Sequence, residues 1–342
     1  MDASVVVVNW RRPDLTAACL RSLLVQRTER SFEIVLVENE AEEGAARSWR
    51  EEFPSIVVVA VSHNAGFAGG VTRGLRAAGG EVVVLVNNDA SVDEGFLEAG
   101  LACLERGGAD LAGVAARVQL EGRFVRVAGG PSDEDAVGID GTRWRRATGG
   151  GVELVNGTGT LLTKDGNGQD RDWLRPVAEL EEHADDPFGF SGGAAFVRRH
   201  RLDAVGGFDE TIFMYYEDLD LCWRLRLAGD RIGYAGEALV VHRHGGSSSS
   251  SSVLVREQSM RNRLVVVAAN GSRGMLLRVV ARTAGRFVRD AVRPGRAHLP
   301  LSAWRRIIRW LPRALLASAR RRRASGVSER DRRRLEAAFL SR

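Results

Sequence analysis

Cysteine is scarce in this 342-residue chain: Cys19, Cys103 and Cys222 are odd in number, scattered, and set mostly in apolar patterns. That distribution argues against a disulfide framework and a zinc site, and it fits reduced, buried thiols in a cytosolic compartment. No run approaches the roughly 18 apolar residues of a membrane-spanning helix. The N-terminus lacks a charged start, an apolar core and a cleavage site, so no signal peptide is expected. Acids are missing from residues 291–328, whereas arginine occurs at 293, 296, 305, 306, 309, 313 and 320 through 323. The net charge of +5 therefore understates an asymmetry that concentrates basic charge in the tail. Three signatures are also absent: a GxGxxG turn after the first strand, a GxxxxGK[ST] phosphate loop, and a Ser-His-Asp or Cys-His nucleophile set. The Gly-rich segment of this chain is therefore neither of the two standard nucleotide fingerprints, and the missing nucleophile set is consistent with chemistry that needs no covalent intermediate.

What is present alternates strand and helix. Residues 4–8 form a continuous β-branched run, the mark of a strand buried on both faces. Pro13 and Asp14 open a helix with Leu15, Ala18, Cys19, Ser22 and Leu23 along its apolar side. Residues 33–37 read as a second strand ending at Glu38-Asn39, followed by a polar helix to Glu52 and a third strand over 56–61. The Gly-rich loop 63–70 enters a helix that ends near Gly79-Gly80, and a fourth strand over 81–86 stops at Asn87-Asn88-Asp89. Such repeats predict an α/β fold with a doubly wound, mostly parallel sheet. Ligands of such sheets bind beyond the carboxyl ends of the strands. Three of those ends carry polar or Gly-rich groups, and together they point to a nucleotide. Taken alone, Asn87-Asn88-Asp89 reads first as a turn, but a carboxylate there could also hold a hard divalent cation.

The stretch from 187 to 229 has a small-residue turn at Ser191-Gly192-Gly193, a second at Gly206-Gly207, and the acids Glu217, Asp218 and Asp220 directly before a helical pattern. Acids near the positive end of a helix dipole read first as a well-capped helix.

Read together, these segments resemble the inverting glycosyltransferases of family 2, most closely the bacterial rhamnosyltransferase-like branch. The resemblance spans roughly residues 3–245 and is sharpest at 3–10, 64–70, 84–90, 190–198 and 206–229. It implies a GT-A fold with a Rossmann-like nucleotide-binding half (1–90) and an acceptor half (91–246). It also implies a donor site built from Val8, Asn9, Glu38, Asn39, Asn64, Gly66, Phe67, Asn87, Asn88 and Asp89. Asp218 takes the place of the catalytic base, with Glu217 beside it, and Ser191, Gly192, Gly193 and Glu217 face the acceptor. The acidic metal motif is thinned to Asp89, with His242 as partner for Mg²⁺ or Mn²⁺; His244, two residues on, is the alternative ligand.

The middle of the chain is less legible. A strand is expected over 110–118 and an edge strand over 122–127, residues 129–151 are Gly- and Asp-rich, and 164–172 reads as a long mobile loop. Residues 247–252 are a serine linker, and 253–342 form a basic helical extension, with helices over 253–293 and 302–323. Pro312 is expected to end or kink the second of these. Trp304, Ile307, Ile308, Leu311 and Leu315 fall near one face amid arginines, which suggests a contact with anionic lipid; the plainer reading is packing on the core or on a second subunit. A chain ended after Ser252 is accordingly expected to stay soluble and keep its donor site. No nucleic-acid reading motif is present. The expected activity is metal-assisted, inverting glycosyl transfer from dTDP-rhamnose or a UDP-hexose to a lipid-linked or cell-envelope glycan, at the cytoplasmic face of the membrane. A sugar nucleotidyltransferase and a non-catalytic sugar-nucleotide scaffold are the competing readings.

Overall fold

Four valine-rich segments set the frame. The computed structural model describes residues 1–128, 132, 135–181, 186–243 and 252–340. Its first half runs β1 (Ala3–Asn9), α1 (Pro13–Leu24), β2 (Phe32–Asn39), α2 (Ala45–Glu52), β3 (Val57–Val61), α3 (Gly66–Ala77), β4 (Val82–Asn87), β5 (Ala90–Val92), α4 (Phe96–Arg106) and β6 (Leu111–Leu120). Then come the short strands β7 (Arg123–Arg126), β8 (Ala136–Val137), β9 (Arg143–Ala147), β10 (Val155–Gly157), β11 (Thr160–Leu162) and β12 (Gly168–Asp170). The last part holds β13 (Ala194–Arg198), α5 (Arg199–Ala204), α6 (Glu217–Leu227), β14 (Arg231–His242), α7 (Val253–Asn270), α8 (Arg273–Val292), α9 (Leu301–Ala324) and α10 (Glu329–Phe339).

The main sheet has the order β3-β2-β1-β4-β13-β6-β14-β5, with β10 paired to β6. It is parallel from β3 to β4 and mixed beyond, because β13 runs antiparallel to both β4 and β6. Parallel register brings the strand ends level: Asn9 faces Glu38, Val8 faces Asn87, and Asn39 faces Val61. Strand order reverses between β1 and β4, and a crevice opens at such a switch point. Because β13 is antiparallel to β4, with Ala194 opposite Val86, the turn 191–193 that precedes β13 lies beside the carboxyl end of β4.

Several expectations change here. The expected mobile loop 164–172 lies largely in a hairpin, β11–β12, whose turn is closed by Thr163 and Asn167. Gly166, at φ +68°, is packed so closely on Val267 that a Cβ there would stand 2.5 Å from its methyl group. The expected helix over 253–293 is two, α7 and α8, with Ser272 capping the second through its hydroxyl. Pro312 does not end α9; it is exposed, and the carbonyl it leaves unbonded belongs to exposed Ile308, where water can satisfy it. Trp304 and Ile307 are buried with Met260 and Leu299, whereas Ile308 faces solvent. The serines 247–251 and His244 lie outside the described residues.

The C-terminal helices share a core with the catalytic half. Leu264, Val266 and Val267 of α7 and Met275 and Val279 of α8 pack with Leu219 and Trp223 of α6. All three cysteines are free; Cys19 and Cys222 are fully buried, and burial pushes the Cys19 thiol up to about 12.

Candidate active site

The strand ends and the turn before β13 enclose a cavity of about 1380 Å³. Val8, Asn39, Asn64, Gly66, Phe67, Asn87 and Asn88 line one wall. Asn9, Glu38 and Asp89 stand behind it. Glu38 is buried and accepts from Asn9 Nδ2 at 2.7 Å and from the Trp49 indole N–H. Asn9 Oδ1 accepts in turn from Asn88 Nδ2 and from the Thr16 hydroxyl. These contacts form a buried polar girder across β1, β2 and the end of β4. Asn39 anchors the glycine loop: its Nδ2 donates to Asn64 Oδ1 and the Gly66 carbonyl, and its Oδ1 accepts from the Ala65 N–H. Gly66 sits at φ +73°, and a Cβ there would collide with the Phe213 carbonyl at 2.0 Å, so only glycine fits.

The opposite wall is the turn 191–193 against the first turn of α6. A Cβ on Gly192 would stand 2.9 Å from the Phe67 ring, and one on Gly193 would stand 2.9 Å from Asn87 Nδ2. The missing side chains let loop, strand end and helix converge. Asp218 Oδ2 accepts from the Gly192 N–H at 3.0 Å and Oδ1 from the Leu219 N–H at 2.7 Å. Burial raises its pKa above the ordinary carboxylate range, while those two hydrogen bonds oppose the rise. Glu217 is buried and its Oε2 has no hydrogen-bond partner. Burial, and then the neighbouring Asp218, push its pKa well up. Asp220 belongs elsewhere: fully buried, it is bound by Arg224, Asn270 and Arg321. It is a structural anchor for the C-terminal helices.

His242, at the end of β14, lies against Asp89, with Nε2 to Oδ1 at 3.0 Å, and Nδ1 meets Asn156 at 2.9 Å. This pair fits a divalent cation in part. Neighbouring ligands of an octahedral ion bound at about 2.1 Å stand about 3.0 Å apart, the spacing now spanned by the hydrogen bond. Among the described residues no group of three His, Cys, Asp or Glu forms a fuller cage, so phosphate oxygens and water would complete the shell.

Other residues in and behind the cavity wall lie outside the expected set. Asp170, on β12, lines the cavity, and burial plus the nearby Asp218 charge push its pKa up to about 6, against the influence of His242. In the sequence it is one polar residue in a Gly-rich segment, and only the hairpin brings it inside. Asn262 of α7 is fully buried and donates to the carbonyls of Met214 at 2.8 Å and Tyr215 at 3.0 Å. Flanked by Arg261 and Arg263, it carries no signal in the sequence that would mark it. Tyr216 donates its hydroxyl to Asn167, which Arg263 also holds.

Residues 2–263 match the family model described as glycosyltransferase like family 2. The chain belongs to that family. It is 27% identical over 228 residues to an N-acetylglucosaminyl-diphospho-decaprenol L-rhamnosyltransferase of Mycobacterium tuberculosis, covering 63% of this chain and 67% of that protein. In structure it resembles S. aureus TarS 1-349 in complex with UDP-GlcNAc, with a TM-score of 0.52, 16% identity, and coverage of 99% of this chain and 91% of that one. It also resembles GalNAc-T7 solved with UDP, GalNAc and Mn²⁺, with a TM-score of 0.53 and 14% identity; the match covers 79% of this chain but only 48% of that one. At such identities the structural likeness is one of fold, and the fold is GT-A. Family and fold thus agree with the resemblance read from the motifs.

Proposed function

We propose that this family 2 chain is an inverting glycosyltransferase. It moves a sugar from a nucleoside-diphosphate sugar, dTDP-rhamnose first and a UDP-hexose second, to a lipid-linked or cell-envelope glycan. One observation carries the reading: Asp218 is a buried carboxylate fixed by two backbone N–H groups, across a cavity from the ends of β1, β2 and β4. The rhamnosyltransferase relative supports the sugar and the acceptor class. Among the described residues no helix is long and apolar enough to cross a membrane; we place the protein peripherally, on the cytoplasmic face.

In this scheme Asp218 takes the proton of the acceptor hydroxyl as the new C–O bond forms and the bond to the diphosphate breaks. Its raised pKa brings it closer to the working pH, and the N–H groups of Gly192 and Leu219 keep its oxygens aimed. Glu217 accepts from a second acceptor hydroxyl, which would satisfy its unpartnered Oε2. The glycine loop held by Asn39 and Asn64 receives the nucleotide, and Gly192 and Gly193 leave room for the sugar. Asp89 and His242 would hold Mg²⁺ or Mn²⁺, which when bound neutralises charge on the departing diphosphate.

Asp218→Asn tests the base. Transfer should fall by about 10²–10⁴, with donor affinity by calorimetry near wild type; turnover within tenfold of wild type would move the role elsewhere. Asp89→Ala should abolish the Mn²⁺-dependent part of donor binding, and His242→Ala should weaken it less. If a chelator leaves binding and turnover unchanged, the cation assignment fails.

A further inference from the structure

The strongest surface feature outside the cavity is the outward face of α8. Leu277, Val280, Ala281, Ala284, Val288, Ala291 and Val292 are all exposed, with Leu277 and Val292 more than 70% open. At 3.6 residues per turn they form one continuous stripe about 120° wide along the helix. Arginines 278, 282 and 289 follow one border, and Arg293 and Arg296 are exposed just past its end. Asp290 is the single acid between Glu257 and Glu329, and it is turned inward, accepting from the N–H groups of His298 and Leu299 and from the Trp304 indole. The face therefore offers apolar side chains beside positive charge from Arg289, Arg293 and Arg296, while Arg282 at its border is paired with Asp165 of the β11–β12 turn.

We infer that this face of α8 docks on an anionic lipid bilayer. A protein partner would have to supply both an apolar groove and a matching row of acids. A bilayer surface supplies apolar depth and anionic headgroups together, the combination that interfacial helices use. The same helix is tied to the cavity wall. Arg282 pairs with Asp165, and Arg278 donates to the Lys164 carbonyl at 2.8 Å. Both partners sit in the turn of the β11–β12 hairpin that carries Asp170, so docking would hold the acceptor side of the cavity near the bilayer. The inference rests on the proposed lipid-borne acceptor for its purpose, and it moves the lipid contact from the Trp304 face, which is buried, to α8.

Full-length protein should co-sediment with phosphatidylglycerol vesicles at 0.1 M salt and not with phosphatidylcholine vesicles. The double variant Leu277→Gln/Val288→Gln should lose most of this binding with an unchanged melting temperature and unchanged donor hydrolysis. Arg289→Gln/Arg293→Gln should weaken it about 25-fold, roughly fivefold per arginine. Unchanged sedimentation of either variant overturns the inference, as does a wild type that ignores phosphatidylglycerol. A variant that changes only the oligomeric state in light scattering also overturns it, in favour of a contact between copies. Because the assay involves no turnover, an active Asp218→Asn enzyme would sink the catalytic reading and leave this one standing.

Discussion

Glu217 and Asp218 are adjacent acids with different environments. Asp218 has two N–H donors, whereas Glu217 has a buried oxygen with none, and an unmet buried acceptor costs about 1–3 kcal/mol, more when charged. Its folded pKa is raised, so the folded state holds the proton more tightly than the unfolded one. That contribution to stability is fully present below the unfolded carboxylate pKa, about 4.3, and is lost as pH rises through the folded value. Glu217→Gln should therefore melt higher than wild type at pH 7–8, with the difference shrinking toward pH 4, while acceptor KM rises. Thermal melts across that range check the sign; a gap that widens toward low pH would place the charge strain elsewhere.

At the scale of elements, the entry to α6 is bent to aim these acids. Tyr215 and Tyr216 lie at φ +65° and +75°, a region that costs a non-glycine residue roughly 1–2 kcal/mol. Asn262 meets two carbonyls of this segment from α7, and Asn167 meets the Tyr216 hydroxyl from the β11–β12 turn. If Asp218 is the base proposed above, Asn262 would act as a positioning residue, holding the segment that leads into it. Asn262→Ala should lower kcat about 10–100-fold with donor affinity retained, since the donor wall rests on β1, β2 and β4. A variant that melts lower but keeps kcat within twofold would reduce Asn262 to a stabilising contact. Nothing in the order of residues links position 262 to position 215; the pairing exists only once α7 lies across α6.

For the whole molecule, the helical region cannot be separated in the way the serine run suggests. Leu264, Val266, Val267, Met275 and Val279 are each no more than 3% exposed in the core they share with Leu219 and Trp223. At about 1.5–3 kcal/mol per buried side chain, the five together contribute on the order of 10 kcal/mol, comparable to the net stability of a whole domain. Arg321 also forms ion pairs with both Asp209 and Asp220. A chain ended after Ser252 should therefore aggregate or lose its cooperative melt and bind no donor, contrary to the sequence-based expectation of a soluble, donor-binding remnant. A soluble truncated protein with wild-type donor affinity would restore that expectation.

Local sequence is enough to specify the Rossmann-like half. Its strands are short β-branched runs ended by polar pairs, so local composition dictates both the element and the end at which Asn9, Glu38, Asn39 and Asn87 emerge. It also carried the family motifs, because glycines 66, 192 and 193 and the Glu217-Asp218 pair are contiguous signals. Tertiary structure alone decided which acids face the cavity: Asp220 is taken by Arg224 and Arg321, and Asp170 is brought in by a hairpin. It decided too that the basic tail is half core and half surface, with Trp304 inside and Leu277 outside. Burial depends on what packs against each helix face, and those partners lie too far off in sequence for spacing or composition to identify.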